Sequence, residues 1–188
     1  MEKVKEDGTI IEDTERKIKE VYQGFTYFEE NDTILAKITP CFENGKGAII
    51  KNLKTKVCFG STEFHVLRPK NNTHDYYVYY LTRTHLFKVL GEAFMIGAAG
   101  QKRVPKDFIE NFFLGVPPYQ EQKRIAENIH QNSIRINNSV QKIQKQIDLL
   151  KEYRQSLIFE IVTGKIDVRE EAEAISTSED LLTQEKND

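Results

Sequence analysis

Apolar residues change their spacing twice along this chain. From Thr33 the segment TILAKITP alternates, which puts Ile34, Ala36 and Ile38 on one face of a strand. KGAII and VCFGSTEFHVLRP continue in β-branched and aromatic residues between turn formers, so this half reads as mostly β. Asn44-Gly45, between the first two runs, predicts a hairpin with a type I′ turn, because that turn requires positive φ at both central positions. Over DYYVYYLTRTHLFKVL, Asp75 to Leu90, the period becomes helical. Tyr77 and Leu81, then Leu86, Val89 and Leu90, recur at that spacing, with Asp75 placed to cap the start and Gly91 to follow the end. One helix packed on a sheet is the expectation. GEAFMIGAAGQKRVPKDF is then glycine-rich in its middle and turns basic at Lys102 and Arg103, as in a loop pressed close to something bulky.

The second change comes at Gln120, after which about 42 residues carry neither Gly nor Pro, a helix of about 63 Å at 1.5 Å per residue. Ile129, Ile136, Ile143, Leu150 and Leu157 recur every seven residues, and Val140, Ile147 and Ile161 fall four after three of them. This is the a/d seam of a coiled coil, interrupted at a positions by Ser133 and Arg154. Each Ile or Leu left in water forgoes about 1.5 to 3 kcal/mol relative to burial, so the stripe calls for a partner helix. Folding back onto the preceding residues would leave much of so long a helix uncovered. The predicted interface is Ile129, Ile136, Val140, Ile143, Ile147, Leu150, Arg154, Leu157 and Ile161, with the polar interruptions selecting partner and register. The expected fold class is α+β. A mostly β globular body with a packed helix spans 1–118, a long projecting coiled-coil helix spans 119–165, and an acidic tail without fixed structure spans 166–188.

Composition sharpens this picture in three places. With 188 residues, 39% of them hydrophobic and including 11 Phe and 8 Tyr, the chain has enough apolar material for a core. The net charge of -2 conceals a division, since from Asp167 onward there are eight acidic and two basic residues, leaving the body at a net +4. Such a body permits binding to a polyanion without requiring it. No apolar run approaches the roughly 18 residues that span a bilayer, and MEKVKEDGTIIED lacks the apolar centre of a signal peptide, so a cytoplasmic protein is expected. Cys41 and Cys58 have no CxxC or nearby His partner and read as small, reduced core residues.

Catalytic chemistry finds little support. VPPY, Val116 to Tyr119, has the outline of the motif with which amino-methyltransferases hold a flipped base, but that motif begins with a polar residue that accepts a hydrogen bond from the target amine. Val116 cannot accept one, and no strand with a Gly-rich turn follows to hold a nucleotide-like cofactor. Pro117 and Pro118 instead impose a stiff entry to the long helix, whose first turn Glu121 complements. His65, His74, His85 and His130 have neither metal-ligand spacing nor an adjacent nucleophile, and Glu121 to Lys123 lack the upstream acid of a nuclease. No catalytic residue and no metal site are predicted.

Five blocks, in this order and spacing, carry a resemblance: ILAKITPCFENGKGAI, FGSTEFHVLRP, GAAGQKRVP, PPYQEQKRIAENI and IDLLKEYRQSLIFEIVTGKIDVR. Together they resemble the specificity (S) subunit of type I restriction-modification systems, over about Glu2 to Arg169. The resemblance implies a target recognition domain followed by a spacer helix, in a subunit that reads one half of a split site in double-stranded DNA and performs no chemistry. It further implies that the spacer docks methyltransferase (M) subunits, which use S-adenosylmethionine, and that a restriction (R) subunit adds ATP-driven and Mg-dependent steps, so that no cofactor is bound by this chain. An S subunit has two recognition domains and two spacers. This chain has one of each and begins near the middle of the usual recognition domain, so it resembles a half-subunit or fragment. It would pair with another copy or another S-like chain through the helix. Phosphate and base contacts need Lys, Arg, Asn or Gln on loops, which selects Gln101, Lys102 and Arg103, then Asn44, Lys46 and Lys37. The other reading is an S-like interaction module that binds partner helices or M subunits without competent DNA recognition.

Overall fold

The computed structural model describes residues 2–11, 15–98 and 100–169. They fall into two compact units, Met1–Gln131 and Asn132–Asp188. The division lies inside the long helix, not at its start, so the first three turns of that helix belong to the body. The predicted tail is outside the described residues from 170 on.

The fold is α+β, and the strand β2 (Thr33–Ala36) shows why the body forms. Its four residues are all buried. Because side chains alternate along a strand, Ile34 and Ala36 join Val4, Phe28, Ala48, Ile50 and Phe64 in one apolar cluster, while Leu35 joins Phe42, Phe87, Val104 and Phe108 in another. Two further strands pair antiparallel with it, β3 (Gly47–Ile49) and β5 (Phe64–Leu67), with Ile34 opposite Ala48 and Val66. A separate ribbon joins β1 (Thr26–Glu29) to β4 (Val57–Gly60), Phe28 facing Cys58. The run VCFGSTEFHVLRP is therefore divided between two sheets. Cys41 and Cys58 are half-buried against the first cluster, and neither is disulfide-bonded.

At the tight bend between β1 and β2, Asp32 is fully buried. Arg68 forks onto it, Nε to Oδ1 and Nη2 to Oδ2 both at 2.8 Å, and the Glu29 N–H donates to Oδ2 at 2.8 Å. A buried carboxylate needs this full complement of donors.

Two expectations are corrected. Asn44-Gly45 does not form a two-residue hairpin, because β2 and β3 are joined by residues 37–46. Within that connection the chain makes a helical turn that Gly45 ends at φ +71, its N–H donating to Phe42 O and the Lys46 N–H to Cys41 O, both at 2.8 Å. This 5→2 and 6→1 pair is the Schellman arrangement, which needs positive φ at the glycine alone. The segment from Asp75 forms two helices, not one. After α1 (Ile18–Val21), α2 spans Asp75–Thr82 and α3 spans His85–Ala93. Thr84 caps α3 by accepting from the Phe87 N–H at 3.3 Å, whereas α2 starts after His74, and the Asp75 carboxylate accepts from the Tyr76 N–H. Gly91 lies within α3, and a Cβ there would sit 2.3 Å from Phe42 Cζ, so the glycine is required for packing and not for ending the helix. Leu86, Val89 and Leu90 are exposed; Phe87 and Gly91 face the core.

Past the short α4 (Lys106–Glu110), α5 runs unbroken over Tyr119–Val162, 44 residues. The Pro118 carbonyl accepts from Glu121 N–H at 2.9 Å and Gln122 N–H at 3.0 Å, so the prolines lead straight into the first turn. Gly164, at φ +72, ends the helix as its spacing predicts, with Gly164 N–H to Ile161 O at 3.0 Å and Lys165 N–H to Glu160 O at 2.8 Å.

Candidate nucleic-acid interface and helix seam

The glycine-rich segment is a loop closed at its base. Ile96 N–H donates to Arg103 O at 3.0 Å and Arg103 N–H to Ile96 O at 2.9 Å, so the chain between them, described at residues 97–98 and 100–102, lies between a paired couple. Gly97 has φ +135, and a Cβ there would lie 2.8 Å from Gln101 O, so this close return of the chain needs glycine. The base is fastened to the end of β2. Lys102 O accepts from Thr39 N–H at 3.0 Å and Thr39 Oγ1 at 2.9 Å, and Val104 N–H donates to Lys37 O at 2.8 Å.

Six residues were expected at a nucleic-acid interface. Gln101 and Lys102 are exposed in this loop. Lys37 lies alongside them, its N–H bonded to Glu63 O at 3.0 Å, and Lys46 adjoins β2 by accepting from the Ala36 N–H at 2.9 Å. Asn44 is exposed at the end of the Pro40–Gly45 turn, against which Arg83 and Lys88 also lie; Arg83 Nη1 donates to Gly45 O at 2.5 Å. Those two cations had no signal in the sequence beyond their charge. Arg103 is engaged within the protein. Its Nε donates to both Glu63 carboxylate oxygens at 2.9 and 3.2 Å, Nη2 to Oε1 at 2.9 Å, and Nη1 to Gln101 O at 3.2 Å. These bonds hold the Glu63 carboxyl below the usual carboxylate range. Beside them His65 Nε2 meets Val104 O at 2.8 Å, and since a carbonyl only accepts, Nε2 carries the proton. Burial lowers the His65 pKa, and the nearby Lys37 charge adds to this.

The root of α5 is fixed by a residue that periodicity could not single out. Gln122 is 1% exposed, and its side-chain carbonyl accepts from His74 N–H at 2.9 Å while its amide donates to Pro117 O at 2.9 Å and Asn72 O at 3.2 Å. His130 adds Nδ1 to the Tyr80 hydroxyl at 3.1 Å, with its ring 4.7 Å from that of Tyr76. Farther along, the predicted seam is open: Ile136, Val140, Ile143, Ile147 and Leu150 are exposed, Leu150 at 66%, as is Arg154, whereas Leu157 and Ile161 are half-buried. Ile129, at the start of the stripe, lines an apolar cleft with Ile125, Ala126, Tyr77, Tyr80 and Leu81.

Among the described residues no group of three or more His, Cys, Asp or Glu could hold a metal ion, and no helix is long and apolar enough to cross a membrane.

The family model of the type I restriction modification DNA specificity domain matches residues 9–149. Over 112 residues the chain is 46% identical to the type I restriction enzyme EcoEI specificity subunit of Escherichia coli, a stretch that covers 59% of this chain and 19% of that one. The EcoAI specificity subunit of Escherichia coli is 46% identical over 111 residues, with 58% and 19% covered. The crystal structure of the HsdS subunit from Thermoanaerobacter tengcongensis shares the fold with a TM-score of 0.62 at 19% identity, covering 79% of this chain and 39% of that one. The match thus spans about a fifth of the length of these curated relatives.

Proposed function

The chain belongs to the family of type I restriction modification DNA specificity domains, and from that premise we propose that it reads one half-site of a split duplex target, without chemistry of its own, and docks methyltransferase subunits through α5. The observation that carries this reading is the 97–102 loop, closed at its base and presenting Gln101 and Lys102 to solvent beside Lys37. An amide for base edges next to ammonium groups for phosphates is what a groove-reading loop needs. S-adenosylmethionine, ATP and Mg belong to the methyltransferase and restriction subunits.

The seam of α5 supports pairing with a second copy, and its residues favour one orientation. Reversed about Lys145, the stripe maps onto itself with every a position on a d position. Ile143 then meets Ile147 of the second copy, Val140 meets Leu150, Ser133 meets Leu157, Arg154 meets Ile136 and Ile129 meets Ile161. A parallel pair would instead set Arg154 against Arg154 within the seam, two like charges with no carboxylate between them. An antiparallel pair relates the two copies by a two-fold axis, the symmetry that a split site with two identical half-sites requires.

The test is duplex binding by the chain together with its methyltransferase subunit. Specific retention at moderate salt that Gln101→Ala and Lys102→Ala remove is the expected result. A complex that forms but ignores DNA would leave only an interaction module.

A further inference from the structure

We infer that Glu63 and Arg103 form a clasp that positions the 97–102 loop for DNA, Arg103 being a positioning residue and not a DNA contact. The inference rests on the reading of that loop as the DNA-contacting element. The guanidinium joins two things that no other side-chain bond described here joins, the Glu63 carboxylate in the β4–β5 turn and the Gln101 carbonyl inside the loop. Three of the five guanidinium N–H groups are thus engaged within the protein, with the Nε/Nη2 edge turned wholly onto Glu63. The fork that would suit a guanine edge or a phosphate is already taken by a carboxylate, and only one N–H each on Nη1 and Nη2 is left over. The Glu63 backbone is itself held, its carbonyl by the Lys37 N–H at 3.0 Å and its N–H by Ser61 Oγ at 3.2 Å. The carboxylate is therefore a fixed post, and the loop residue nearest the expected contacts is tied to it.

The loop needs such a tie. Gly97 and Gly100 both have positive φ, at +135 and +82, and glycine gives the unclasped chain more conformations to lose on binding. An exposed ion pair adds little to global stability, and both side chains here are partly exposed, so the body folds without the clasp while the loop loses its order.

The two roles for Arg103 predict opposite signs at Glu63. If Arg103 contacts DNA, Glu63→Gln removes a nearby negative charge, frees the guanidinium and leaves binding unchanged or tighter. If it is a clasp, Glu63→Gln weakens binding. The experiment is fluorescence anisotropy on the chain with its methyltransferase subunit and the duplex it retains, titrated over salt. Glu63→Gln, Arg103→Gln and Arg103→Lys should each weaken binding about tenfold, and the Glu63→Gln/Arg103→Gln double variant no further. All should keep the wild-type salt slope, whereas Lys102→Gln lowers it by about 0.9, the signature of one lost phosphate contact. The Gln101 amide should exchange hydrogen faster in Glu63→Gln with the melting temperature unchanged. Undiminished binding in Glu63→Gln, near-wild-type binding in Arg103→Lys, or a reduced slope in Arg103→Gln overturns the clasp while the DNA reading stands. If Lys102→Gln is also without effect, the DNA reading falls with it.

Discussion

Gly91 shows how one missing methyl group sets the packing of the second core cluster. A Cβ at this position would meet Phe42 Cζ at 2.3 Å and Phe108 Cε1 at 3.2 Å, and both rings are buried. Helix propensity alone would favour Gly91→Ala by about 1 kcal/mol, but overpacking a rigid core costs about 1 to 3 kcal/mol, so a net loss of stability is predicted in urea denaturation. Arg68→Met should cost more, about 3 kcal/mol, because it leaves the Asp32 carboxylate buried without its fork. His65 makes a pH prediction. Its pKa is lowered by burial, so between the folded value and the unfolded value of about 6.5 the unfolded chain binds more protons. Stability is therefore fully present above pH about 6.5 and declines as the pH falls below it. Thermal melts from pH 8 to 5 should show this decline, and His65→Gln should flatten its upper part.

Elements repeat the lesson that spacing gives type more securely than direction. The strands at 33–36 and 64–67 and the end of α5 at Gly164 follow from alternation, heptads and glycine placement. The stripe Leu86, Val89 and Leu90 is helical as its spacing predicts, yet it faces solvent, because the break at Arg83–Thr84 re-aims α3 and the small Gly91 lets Phe42 approach from the other side. Long-range contacts decided that, and no local pattern contains them. The loop at 97–102 could be expected from its glycines, but the fork between Arg103 and Glu63 joins residues 40 apart in sequence. For α5, Ile143→Asp or Leu150→Asp should abolish pairing in light scattering while the melt of the body is unchanged, since neither residue touches the core clusters. Arg154→Leu should strengthen pairing and weaken its preference for the antiparallel orientation, read by disulfide trapping of Ile143→Cys with Ile147→Cys chains.

At the scale of the whole molecule, the proposed reading combines a body whose loop exposes Gln101 and Lys102 with a helix whose seam is exposed and self-complementary, in a component that would contribute recognition and leave chemistry to its partners. If two copies pair about a two-fold axis as proposed, they carry the same reading surface, and the site they select is then an inverted repeat of one half-site with a fixed gap. The most direct measurement supplies the chain and its methyltransferase subunit to DNA with S-adenosylmethionine and maps the methylated bases. Methylation at one palindromic split motif, present with the chain and absent without it or with Lys102→Ala, is the predicted result. Methylation that is independent of the chain would contradict its proposed role in recognition, and chain-dependent methylation at an asymmetric motif would contradict the pairing of two identical copies.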